Sequence, residues 1–317
     1  MLLVLTCFLS LAVGSARISL AEVWQVLWHP DDSNTSYNVH GLRLTRTCIG
    51  VLVGACLAAA GTIMQAVTRN PLADPGLLGV NSGASLGIVL GAFLLGYTSA
   101  ISQIFLAALG AVLATIFVYM VGSAGTSGTS PVRLVLAGVA FSAASGGIVS
   151  AITLLRPEIF DSFRFWEVGA LTRSNVPWEV FTVPILIGLG LAIGIVKALS
   201  NVALGDDMAT ALGTNVMRTR ALALLSLTLL CAAATAIAGP LSYVGLIVPI
   251  FAHWVMGAHR GWIMAFSVLL GPIVLLFADI LGRVIARPGE VAVGILTTFV
   301  GAPFLLYMVV QMRGKSL

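Results

Sequence analysis

Two aspartates, Asp206 and Asp207, stand side by side in "ALGDDMATALG" (203–213), in a chain with only 12 acidic residues among 317. The stretch lies between long apolar runs and is too short to be a membrane span or a domain. Aspartate is favoured in the first turn of a helix, so one reading is a solvated loop helix. The other is an element that docks on a partner, and the residues alone leave both open. Asp279 is the best candidate for a functional ionisable group inside the membrane. Arg283 follows four residues later on the same helix face, which favours a structural ion pair. The four histidines (29, 40, 253 and 259) are scattered, and neither H-E-x-x-H nor G-x-S-x-G occurs. The tail "RGKS" (313–316) imitates the end of a phosphate loop, but its leading glycine would fall on Val309 and no helix could follow. The chain is therefore not expected to be an enzyme or to hydrolyse ATP itself. The cysteines at 7, 48, 56 and 231 show no C-x-x-C spacing, so neither a metal site nor a disulfide framework is indicated. No cofactor and no nucleic-acid partner is expected.

The elements that must position these residues are membrane helices. Hydrophobic residues make up 59% and charged residues 9%, with a mean hydropathy of +1.05, whereas soluble domains are about 25% charged. A span needs about 20 mostly apolar residues. Such runs predict an all-α polytopic protein with about ten helices, at 2–19, 47–67, 81–98, 101–122, 132–155, 179–199, 219–238, 241–257, 262–282 and 291–311. The start could pass for a signal peptide, but no basic residue precedes its apolar stretch, so a first transmembrane helix is preferred. Gly83, Gly87 and Gly91 form one small-residue stripe and Gly190 with Gly194 another. Both are expected to pack helices together.

Ten spans place both termini on one side. Counting Lys and Arg does not say which, because each side carries eight. With the termini inside, the outer set (17, 43, 46, 156, 164, 173, 283 and 287) is all arginine, which suits carboxylate docking better than lysine does. "NPLADPGLLGV" (70–80) and "GPLSYVGLIVP" (239–249) share P-L-x-x-x-G-L. In a ten-helix chain they fall on opposite faces, as inverted repeats would place them.

The stretch "GLRLTRTCIGVLVGACLAAAGTIMQAVTRNPLADPGLLGVNSGASLG" (41–87) closely resembles the FecCD-type permease subunits of ferric-siderophore and vitamin B12 ATP-binding-cassette importers. Further stretches agree in order: 133–143, 203–213, 238–249 and "ADILGRVIARPGEVAVGILTTFVGAP" (278–303). The family's R-L-P-R is Arg43-Leu44-Thr45-Arg46 here, its V-P-H is Val248-Pro249-Ile250, and its E-L-P-x-G is Glu290-Val291-Ala292-Val293-Gly294. The resemblance implies the ten-helix fold of the vitamin B12 importer permease, with 1–317 as a single transmembrane domain in a bacterial cytoplasmic membrane. Both termini would be cytoplasmic. It implies a second permease subunit, two cytoplasmic ATPase subunits and an extracytoplasmic substrate-binding protein. It assigns 203–213 (Leu204, Gly205, Asp206, Asp207, Ala211, Leu212, Gly213) as the coupling helix, and Arg43, Arg46 and Arg283 as docking residues for the binding protein. Those arginines are expected in water at the outer surface. The Pro/Gly loop (Asn70, Pro71, Leu72, Pro75, Gly76, Gly79) is expected at the inner mouth of the path, supporting gating. The cargo implied is a metal chelate, foremost a ferric siderophore, with haem or cobalamin as alternatives. An ion-coupled secondary transporter is the competing class.

Overall fold

Every regular element of the computed structural model is helical among the residues it describes: 1–14, 18–31, 33–124, 131–173, 175–257 and 259–313. Arg17, Lys315 and the "GKS" of the tail lie outside them. Six helices are long and apolar enough to cross a membrane, and four shorter ones are equally apolar, at 2–12, 80–95, 244–256 and 293–308. These match the ten runs in the sequence. The protein is a multi-pass membrane protein.

The helix α4 (Thr45–Thr68) forms the centre. It continues a single turn, α3 (Asn34–Ser36), and a π-helical stretch, Tyr37–Leu44, into one rod from 34 to 68. The most apolar part of that rod is 83% buried, against 22% for α7 (Pro131–Leu155). Its small residues explain this depth, because close backbone approach needs side chains that take no room. A Cβ on Gly61 would lie 1.7 Å from the carbonyl oxygen of Gly245, and one on Gly54 would lie 2.6 Å from the nitrogen of Pro272. Thus α4 is wrapped by α9 (Trp178–Ala203), α11 (Val216–Ala238), α12 (Val244–Met256) and α13 (Arg260–Ile285).

The two glycine stripes part company. Gly83, Gly87 and Gly91 on α5 (Val80–Leu95) press against Leu106 and Gly110 of α6 (Ala100–Ser123), as expected. Gly190 and Gly194 on α9 have nothing within 4 Å, so they pack no helix within this chain.

The first run differs from the 2–19 expectation. Helix α1 (Leu2–Ala12) stops early, with Val13 extended, and α2 (Leu20–Trp28) follows. Ser19 and Glu22 cap α2 reciprocally: each side chain accepts from the other's backbone N–H. What ends α1 is the site beyond it. A Cβ at Gly14 would lie 2.5 Å from a guanidinium nitrogen of Arg43. A second amphipathic helix, α8 (Pro157–Glu167), also interrupts the spans.

Candidate functional site

Three places in the bundle collect the polar residues: the end that carries Asp206 and Asp207, the opposite end where α4 begins, and the middle.

Helix α10 (Asp206–Ala211) sits between the end of α9 and the start of α11. It is framed by Gly205 (φ 120°) and Gly213 (φ 77°), conformations that only glycine adopts without strain. Ala209 is buried, while Leu204, Met208 and Leu212 are exposed. Met208 on the helix and Leu204 and Leu212 flanking it leave this short segment with three exposed apolar side chains. Asp206 is paired with Arg69 and, at 3.0 Å, with Arg220 of α11. Asp207 is exposed and has no ion pair among the described residues. Arg69 caps α4 in the left-handed region (φ 53°) and also donates to the Val202 carbonyl at 2.8 Å. Arg69 as partner was not legible from residue spacing, since 137 positions separate it from Asp206.

Arg69 leads directly into the Pro/Gly loop. Asn70 accepts from the Leu72 N–H at 2.9 Å, and Asp74 from the Gly76 N–H at 2.7 Å. These are local turns of the kind Asn and Asp favour. Asp74 thereby caps a 3₁₀ turn, Pro75–Leu78, with proline at its start, where no N–H is needed. The loop then enters the bundle: Pro71 is exposed, whereas Ala73, Pro75, Leu78 and Gly79 are buried. The echo segment meets it there. Pro75 lies 3.0 Å from where a Cβ of Gly245 would stand, and Gln65 donates to the Leu246 carbonyl at 3.1 Å. The two P-L-x-x-x-G-L segments are therefore neighbours inside the bundle, the first following the end of α4 beside α10 and the second following the opposite end of α11. The reason is length: α5 has 16 residues and α12 has 13, about 24 and 20 Å at 1.5 Å per residue, so each begins below the surface.

Beside this junction a hollow of about 880 Å³ opens on the flank of the bundle, lined by Asn81, Ser82, Ser85, Glu167, Ser242 and Thr298, among others. The N-terminal turns of α5 and of α14 (Val293–Arg313) both border it. Apolar residues, Ile295 and Phe299 among them, make up most of the rest of the wall, and the polar strip went unread in the sequence, although "VNSGAS" (80–85) is a hydrophilic interruption at the start of an apolar run.

At the far end, Arg43, Arg46 and Arg283 come together, but not as expected. They are 6%, 8% and 1% exposed, not set out in water. Asp279, fully buried, accepts from Arg46 at 2.6 Å and from Arg283 at 2.7 Å. Arg46 also reaches Glu290 at 2.5 Å. Most of the remaining donors close off α1, although the buried Nε of Arg283 has no partner among the described residues. Arg283 donates to the carbonyls of Ser10 (2.8 Å) and Val13 (2.9 Å), Arg43 to those of Leu11 (2.8 Å) and Ala12 (3.0 Å), and Arg287 to that of Gly14 (2.9 Å). The last carbonyls of a helix have no partner within it and carry its negative end. Three guanidinium groups satisfy them here, which is why burial of so much positive charge is tolerated. The Asp279–Arg283 pair was legible as an i, i+4 spacing, whereas Arg46 as a second partner and Glu290 were not. A cleft of about 230 Å³ lined by Arg43, Arg46, Arg173, Arg283 and Glu290 opens above this network. Among the described residues, no cluster of three or more His, Cys, Asp or Glu is arranged to hold a metal ion.

Comparison with known proteins agrees along the whole chain. The profile of the FecCD transport family matches residues 2–311. The ferric enterobactin transport system permease protein FepD of Escherichia coli (strain K12) is 45% identical over 310 residues, covering 98% of this chain and 92% of that protein. The Fe(3+)-citrate import system permease protein YfmD of Bacillus subtilis (strain 168) is 40% identical, with 98% and 91% covered. The hemin transport system permease protein HmuU of Yersinia pestis is 33% identical, with 96% and 92% covered. Among solved structures, an inward-facing conformation of a metal-chelate type ABC transporter superposes with a TM-score of 0.84 at 27% identity, over 98% of this chain and 96% of that one. The profile match over residues 2–311 and these relatives lead to one assignment: the chain belongs to the FecCD transport family.

Proposed function

We propose that the chain is the membrane permease subunit of an ATP-driven importer that carries a ferric siderophore across the cytoplasmic membrane of a bacterium. The observation that carries this reading is α10. A six-residue helix held between two positive-φ glycines, exposing Met208 and flanked by exposed Leu204 and Leu212, is suited to seat in a groove of another protein. That partner is an ATPase subunit, and there are two, one for each of two permeases. Leu204, Gly205, Asp206, Asp207, Ala211, Leu212 and Gly213 form the contact, which puts the α10 end and both chain termini in the cytoplasm.

A second permease, identical or paralogous, closes the 880 Å³ hollow into a path. Its hydroxyls and two helix N-termini offer hydrogen-bond donors to an oxygen-rich, anionic chelate. The loop from Asn70 to Gly79, through Pro71, Leu72, Pro75 and Gly76, gates that path from beside the coupling helix. An extracytoplasmic binding protein delivers the cargo to the cleft over Arg43, Arg46 and Arg283, where carboxylates can approach guanidinium groups. Higher identity to the ferric enterobactin permease than to the hemin permease supports a siderophore over haem.

The test is reconstitution of the chain in vesicles with its ATPase and binding protein, comparing uptake of ferric enterobactin, hemin and cobalamin. ATP-dependent uptake of the ferric chelate above the other two is expected. Uptake driven by an ion gradient without ATP would overturn the reading.

A further inference from the structure

We propose that a hollow at the α10 end of the bundle, between α4, α12 and α13, binds the phosphate headgroup of an anionic phospholipid. The hollow encloses about 360 Å³. Arg69, His253 and Arg260 line it, and no carboxylate does. Arg260 is half-buried and has neither hydrogen bond nor ion pair among the described residues. Arg69 commits Nε to the Val202 carbonyl and one terminal nitrogen to Asp206, which Arg220 also holds, and its other terminal nitrogen has no partner among the described residues. A partly desolvated guanidinium without a counter-charge is costly, and a phosphate oxygen placed between these groups would neutralise it through charge-assisted hydrogen bonds.

The walls identify the source of the phosphate as lipid. Ile250, Ile263 and Met308 form an apolar side. Trp254, which also lines the hollow, is 50% exposed, and Phe251 and Val255 beside it are 42% and 54% exposed. Acyl chains would lie on that surface, with tryptophan at the headgroup level, where aromatic side chains collect. A free phosphate has no use for such a rim.

The proposal is read on the purified full chain in detergent, so it stands or falls independently of transport. Native mass spectrometry would compare retention of phosphatidylglycerol and phosphatidylcholine by the wild type, Arg260→Ala, Arg260→Lys and His253→Ala, with a monodispersity check for each. The wild type should prefer phosphatidylglycerol by about tenfold, the scale expected of one or two arginines facing an anionic lipid. Arg260→Ala should abolish the preference, and Arg260→Lys should keep part of it. Equal retention of both lipids by the wild type, or an unchanged preference in a well-folded Arg260→Ala, overturns it. So does Arg260-dependent capture of inorganic phosphate with no lipid preference. Loss of ATPase binding by Arg260→Ala, without any lipid preference in the wild type, would mark the hollow as a protein contact and also overturn it.

Discussion

Asp206 on α10 reaches Arg69, the residue that ends α4, across 137 positions of chain. Arg69 immediately precedes the Pro/Gly loop, so a helix presented to solvent is tied by one charge pair to the segment that enters the bundle beside the hollow. Any push on α10 therefore has a short route to Asn70 and beyond.

Removing that pair should separate ATP hydrolysis from uptake. Both side chains are partly exposed, so the pair contributes only about 0–1 kcal/mol to stability, and Arg69→Ala or Asp206→Asn should fold normally. Uptake should fall several-fold while ATPase activity persists. The exchanged pair, Arg69→Asp with Asp206→Arg, should recover part of the loss. Additive losses in a double-mutant cycle of uptake would show that the two residues act separately.

The Asp279 network should behave differently, because it is buried. Asp279→Ala leaves Arg46 and Arg283 without their shared carboxylate, and an unpaired buried charge costs about 3–5 kcal/mol. Thermal unfolding of the purified chain should show the largest single-site loss here, with Glu290→Gln, at the half-exposed margin, costing less. Equal losses for the two would contradict the burial argument.

Docking at the cleft can be tested with Arg43→Gln, which removes the charge and shortens the reach to the α1 carbonyls, so thermal unfolding of the variant is measured beside its docking. If the binding protein docks over these arginines, its affinity and its salt dependence should both decrease. An unchanged salt slope would leave Arg43 with the capping of α1 alone.

Accessible thiols test the placement of α10. With the native cysteines removed, Leu212→Cys should react with a polar reagent applied from the cytoplasmic side and be protected by the ATPase subunits. Pro71→Cys should react as well. Ala73→Cys should not, since Ala73 is 1% exposed. Labelling of Leu212→Cys only from the opposite side would invert the topology.

Close packing gives the sharpest contrast. Gly61→Ala places a methyl group 1.7 Å from the Gly245 carbonyl oxygen and forces α4 and α12 apart. Overpacking of this kind costs about 1–3 kcal/mol or more. Gly146→Ala on α7, with nothing within 4 Å, should change the stability of the single chain by less than about 0.5 kcal/mol. The ratio of their effects on folded yield is the measurement.

The class, the ten apolar helices and their order are legible from residue types alone, because a span announces itself by hydropathy over some 20 residues and needs no partner to be recognised. So are α10, whose polar residues and two glycines interrupt the apolar pattern locally, and the Asp279–Arg283 pair, which is a matter of helical spacing. What the arginines do emerges only from how the helices pack. Arg43, Arg46 and Arg283 read as a surface set, yet they are buried against the end of α1 and against Asp279 and Glu290. Which carbonyls a guanidinium will meet depends on helices more than 30 residues away. The same holds for Pro75 beside Gly245 and for Arg69 beside Asp206. Both rest on short helices and loops ending at a common depth, which no local pattern of residue types can express.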